Sequence, residues 1–140
     1  MRPAAPSTSY VVPVFRVELD DDHVDGHRVD LAASDLRRLG GTPTATLDLH
    51  RLDADTARRR VLGFLARERA QGRELVLVIV GRGHHSVGGH GVLRAAISDW
   101  LTTPPAATHV LAFRTARSEL GGSGGVVVLL APRAVRARRD

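Results

Sequence analysis

Asp48 and His50 are the residues with which chemistry would begin. They stand in "ATLDLH" (residues 45–50), where apolar and polar side chains alternate as in a strand. Strand residues two apart project from the same face. Asp48 and His50 therefore share one face, with Leu47 and Leu49 on the other. A carboxylate beside an imidazole favours the protonated ring and fixes its orientation. Such a pair can move a proton in phosphodiester cleavage, with His50 as general base or acid and Asp48 orienting it or holding a metal. The same spacing also suits a bland role, in which Asp48 caps a loop and His50 packs.

A second set of residues follows a buried-type strand. "LVLVIV" (75–80) runs into "GRGHHSVGGHG" (81–91). Gly81 and Gly83 flank Arg82, and backbone N–H groups freed in such a turn can face a phosphate, with the guanidinium adding charge. His84 and Ser86 belong to the same phosphate-facing set. The Gly-Lys-Ser/Thr ending of a P-loop is missing and the dinucleotide fingerprint is incomplete, so ATP and NAD are not expected. A tight strand-to-helix turn needs the same glycines, and the two readings are compatible. His84, His85 and His90 raise the question of zinc. Adjacent histidines without any cysteine suit a structural zinc site poorly, so no metal ligands are assigned. No cofactor is certain, and a divalent metal ion stays open. Arg114 and Arg117, after the strand "THVLAFRT" (108–115), could reach a nucleic-acid backbone or serve as solvated surface charges. His23, His27 and His109 read as structural.

Composition bounds the setting. The chain has 140 residues and a formal net charge of +5, and all 20 of its basic side chains are arginine. The stretch up to residue 47 is net acidic, whereas the stretch carrying the motifs and the tail after Ala131 are net basic. That is where a polyanion partner would want the charge. A GC-rich coding sequence would also favour arginine over lysine. With one Trp, one Tyr and three Phe, base-stacking platforms are not expected, and recognition should rest on phosphate and shape. No apolar run approaches the roughly 18 residues of a membrane span. The N-terminus lacks the apolar core of a secretory signal, so the cytoplasm is the expected compartment. Without cysteine, disulfides, thiolate metal sites and cysteine nucleophiles are excluded.

The elements that must position these residues read strand (45–50), helix (Asp53 as N-cap to Gly72 as stop), strand (74–80), helix (91–101), strand (108–115) and strand (125–131). Strands separated by helices pair in parallel through right-handed crossovers, while the short last connection allows an antiparallel pair. The expectation is an α/β two-layer sandwich with a four-stranded mixed sheet and two helices, β-α-β-α-β-β. Residues 1–45 read as a flexible tail and an arm, with a segment restricted by Pro13 to an edge, an acidic turn over 20–26 and a short helix around Ser34–Leu39. The domain spans 46–131, and 132–140 form a basic tail.

"LDLH", then "GRGHHSVGGHGVLRAAISDWL", then "GGSGGVVVLL" resemble, in this order and spacing, the Smr (small MutS-related) domain. The match runs from about Leu47 to Leu130. The resemblance implies a fold like the C-terminal domain of translation initiation factor three. It also implies nucleic-acid binding and, in many members, endonuclease activity on DNA or RNA. It carries the family's catalytic Asp-x-His onto Asp48 and His50, and makes His85 the candidate to line the active groove. Two positions depart from the pattern: Arg51 stands where the family usually has glycine, and Val80 where it usually has threonine or histidine. The leading expectation is a standalone Smr-domain endonuclease acting on RNA or DNA, with Arg51, Gly81, Arg82, Gly83, His84, Ser86, Arg114 and Arg117 contacting nucleic acid. The alternative is a non-catalytic nucleic-acid-binding module, with the ribosome as one partner. A third reading is a protein-interaction domain whose arm docks a partner.

Overall fold

A computed structural model describes residues 12–81 and 92–133. Six strands form one mixed sheet: β1 (Phe15–Leu19), β2 (Val24–Arg28), β3 (Thr46–Asp48), β4 (Leu75–Ile79), β5 (Val110–Thr115) and β6 (Gly125–Leu130). Their order across the sheet is β1-β2-β5-β6-β4-β3. The helices are α1 (Ala33–Leu36), α2 (Ala54–Ala70) and α3 (Val92–Leu101).

The expected β-α-β-α-β-β order is present as β3-α2-β4-α3-β5-β6. β3 and β4 pair in parallel, and β6 is inserted between β4 and β5, antiparallel to both. Three parts of the expectation need correction. The sheet has six strands rather than four, because Phe15–Leu19 and Val24–Arg28 form an antiparallel hairpin that joins it through β2–β5 pairing. The stretch read as an acidic turn over 20–26 is a turn only to His23, since Val24 is fully buried and begins β2. The layers also differ: α1 and the 3-10 turn Arg37–Gly40 lie on the sheet face opposite α2 and α3, and Leu31, Leu36 and Leu39 pack there.

This layering follows from the strand patterns. β4 and β6 carry long aliphatic runs, and nearly every residue of both is buried. Such strands need cover on both faces. Val76, Val78, Val126, Val128 and Leu130 face the cluster with Val61 and Leu65 of α2 and Ile97 and Leu101 of α3. Leu75, Leu77, Val127 and Leu129 face the other cluster, with Leu39. The hairpin attaches through an aromatic: a Cβ at Gly26 would lie 2.3 Å from Cζ of Phe113. Only glycine lets that ring lie flat over β2. No described helix is long and apolar enough to cross a membrane.

Candidate functional site

β3 is an edge strand, and its alternation sorts its side chains. Leu49 is fully buried and Leu47 packs beside it in the α2–α3 core, whereas Asp48 and His50 stay about half exposed on the opposite face. The strand is held by parallel pairing of Asp48 with Ile79 and by the Leu49 N–H donating to the Ile79 carbonyl at 2.7 Å. The chain then turns at once toward α2. Asp48 Oδ1 accepts the His50 backbone N–H at 3.0 Å and lies 2.5 Å from His50 Nδ1. One carboxylate oxygen thus closes an Asx-type turn and clasps the ring.

Partial burial by itself would raise the Asp48 carboxyl, but the hydrogen bonds from the His50 ring and backbone, and the charge on that ring, hold it below its ordinary value. Asp48 is therefore a carboxylate at neutral pH and can only accept hydrogen bonds. Nδ1 of His50 must donate to it. This leaves Nε2 on the far side of the ring from Asp48, with no hydrogen-bond partner among the described residues.

Arg51, the next residue, has φ +70°, in the left-handed region that L side chains resist. This explains why glycine suits the position. The arginine keeps the same backbone turn at some cost and projects a cation one residue from His50.

Gly81 meets the pair from β4. Its φ is +81°, and a Cβ there would approach the His50 Cβ at 3.3 Å. Gly81 thus packs against His50 at the carboxyl ends of parallel strands, where α/β sheets commonly bind ligands. The "GGSGG" segment (121–125) is there too, since the Gly124 carbonyl accepts the N–H groups of Val80 and Gly81 at 2.8 and 3.0 Å. Val80 is buried in the core. Its side chain lines no groove.

The arginines divide. Arg114, half-buried, sits in register with Val127, Leu77 and, through them, Thr46. It shares the face of Asp48 and His50 but stands three strand spacings away, ~14 Å. Arg117 is engaged with the arm: Nη1 donates to the carbonyls of Gly40 and Gly41 at 3.1 and 3.2 Å, and Nε to Glu119 at 3.1 Å. Arg82, Gly83, His84, His85, Ser86 and His90 lie outside the described residues. Among those described, no three His, Cys, Asp or Glu side chains gather as a metal-binding set.

Arg94 was not singled out by motif reading. It is 2% exposed on α3 and donates to the carbonyl of Ser123 at 2.7 Å and to that of Asp21. It ties the "GGSGG" segment and the hairpin turn to α3. The signal was its place on an otherwise apolar helix face, between Leu93 and Ile97. The remaining histidines have local partners: His109 Nδ1 lies 3.2 Å from Arg69 Nη1, and His27 Nδ1 lies 3.0 Å from the Arg28 carbonyl.

Known proteins share this fold. The family model of the Smr domain matches residues 47–131. The crystal structure of YdaL, a stand-alone small MutS-related protein from Escherichia coli, is 32% identical, with a TM-score of 0.66 over 76% of this chain and 81% of YdaL. The Smr domain of Thermus thermophilus MutS2 is 30% identical, with a TM-score of 0.55 over 64% of this chain and all of that domain. An uncharacterized protein of Treponema pallidum (strain Nichols) is 35% identical over 88 residues. That segment is 63% of this chain but only 42% of the relative's length. With the Asp-x-His strand tip, the buried central strands and the glycine segments falling inside the matched stretch, the chain belongs to the Smr domain family.

Proposed function

We propose that this protein binds nucleic acid and cleaves its phosphodiester backbone at the tip of β3. The observation that carries the proposal is the 2.5 Å contact between His50 Nδ1 and Asp48 Oδ1, made by half-exposed side chains beside Gly81. His50 Nε2 takes the proton of the attacking hydroxyl or water as the new P–O bond forms. Asp48 holds the ring in the orientation and tautomer that the transfer needs. The leaving oxygen must gain a proton as its own P–O bond breaks, and His85 is the candidate donor. Arg82, Gly83, His84 and Ser86 would bind the phosphate, with Arg51 adding charge beside the histidine; the Gly81 N–H, expected from the sequence to face that phosphate, is already donated to the Gly124 carbonyl. Arg114 would meet a more distant part of the backbone. Arg117 is the weakest of the proposed contacts, because its guanidinium already holds the arm.

The test is a cleavage assay on RNA and DNA with purified wild type, Asp48→Ala and His50→Ala. Cleavage by wild type that falls ~10²–10⁴-fold in His50→Ala supports the assignment. Equal cleavage by all three proteins would show that the activity is not seated at this pair. The left-handed Arg51 favours a second reading, a non-catalytic nucleic-acid-binding module with the ribosome among its partners. It predicts salt-dependent binding, no cleavage, and no change in binding with Asp48→Ala.

A further inference from the structure

Among the described residues, the large exposed hydrophobic side chains are all on or beside the N-terminal hairpin: Val12, Val14, Val17, Leu19 and Val29. β1 ends the sheet, and among the described residues its strand pairing is with β2 alone. An edge of this kind offers unpaired N–H and C=O groups to another strand. The phase of the hairpin shows which groups these are. Val29 N–H donates to the Val14 carbonyl, and Asp20 N–H to the His23 carbonyl. Even-numbered residues therefore turn their backbone groups toward β2, and Phe15, Val17 and Leu19 turn theirs outward.

The sequence of that edge is complementary to itself. In an antiparallel pair centred on Val17, Phe15 faces Leu19, Arg16 faces Glu18, and Val17 faces its own copy. The outward-facing residues are those that would exchange both hydrogen bonds in this register. Pro13, next in phase with them, has no N–H to offer and ends the ladder. Charge argues for the same occupant. Within its own hairpin Glu18 lies opposite Asp25, a like charge. A partner's Arg16 would offset that repulsion.

We propose that two copies of this chain associate through β1, continuing the sheet across a two-fold axis at Val17. The contact is isologous and closes on itself, so it yields a dimer and not a fibre. The Asp48–His50 pair lies at the opposite edge of the sheet, so both copies keep it open. The inference does not depend on the proposed cleavage activity. A single five-residue edge falls short of the roughly 1,000 Å² of a firm interface, so the association is weak.

Sedimentation equilibrium of the full chain, over a series reaching on the order of 1 mM, tests it. Wild type should shift from monomer to dimer. Arg16→Glu sets carboxylates against each other at both junctions and should weaken association by ~10-fold or more. The double variant Arg16→Glu/Glu18→Arg restores complementarity and should associate again. Both side chains are exposed, so folding is spared. Amide exchange at Phe15, Val17 and Leu19 should slow as concentration rises. A wild type that stays monomeric throughout, a single swap without effect, or protection independent of concentration would overturn the proposal. The last result would mean that the chain covers its own edge.

Discussion

β3 and β1 are the two edges of one sheet, and they use their exposed groups in opposite ways. β3 is three residues long and pairs in parallel, and its exposed face ends in a carboxylate and an imidazole locked to each other. β1 is five residues long and belongs to a hairpin, and its exposed side chains alternate between aliphatic and charged. At β3 one carboxylate holds the His50 ring and backbone N–H, and the proposed chemistry falls to the far ring nitrogen. At β1 the backbone is left unsatisfied among the described residues, and the side chains suit another strand. The two proposed roles divide accordingly: side chains act at β3, and backbone groups at β1.

The largest expected effect breaks the β3 side alone. His50→Ala should lower cleavage ~10²–10⁴-fold while leaving stability nearly unchanged, because the ring is half exposed. A matching fall in thermal stability would mean that the residue is structural. Gly26→Val strikes the hairpin side. Its new Cβ would collide with the Phe113 ring, and urea unfolding should show a loss of about 1–3 kcal/mol or more. Cleavage per folded molecule should stay at the wild-type level, and a parallel loss would show that the two edges are coupled. Arg94→Met tests the tie between the regions. Removing a buried donor from the Ser123 and Asp21 carbonyls should cost roughly 1–3 kcal/mol. It should also slow cleavage, because Gly124 of the same loop accepts from Val80 and Gly81.

A smaller effect has the opposite sign. Arg51→Gly relieves the left-handed backbone, offset by the greater freedom of glycine in the unfolded chain, and should stabilise by up to about 1 kcal/mol. Nucleic-acid affinity should fall in the same variant if the arginine contacts phosphate. The weakest lever is pH. Burial, and then the Arg69 charge, lower the His109 imidazole below its ordinary 6.5, so the unfolded chain takes up that proton first. The contribution is complete above pH 6.5 and is lost as pH falls through the folded value. The depressed Asp48 carboxyl contributes above its ordinary 3.8 and loses that contribution as pH falls through its lowered value. Urea midpoints that fall first near neutrality and again in acid, the second step smaller in Asp48→Ala but not abolished because the Asp20, Asp53 and Glu119 carboxyls are lowered too, would match this account.

The shared face of Asp48 and His50 was legible because strand alternation has a period of two and the buried leucines leave no other choice. The aliphatic runs of β4 and β6 likewise declared strands buried on both faces. The hairpin was hidden by its composition. "DDDHVDGHR" carries charges and a glycine that read as turn, and Gly26 earns its place in a strand only because Phe113, distant in sequence, lies across it. Arg117 read as a nucleic-acid contact or a solvated charge, since its partners are backbone carbonyls of the arm, which no side-chain pattern announces.

By itself the sequence determined the order of elements from β3 to β6, the pairing of carboxylate and imidazole on one face, and the family, because these depend on local periodicity and on residues near one another in the chain. Only the tertiary structure decided that β6 lies between β4 and β5, that the hairpin extends the sheet, and that Arg94 joins the hairpin turn to the glycine loop. Those depend on which distant surfaces fill each other's gaps and which backbone groups remain for a buried cation to satisfy, and neither is written in any local stretch of residues.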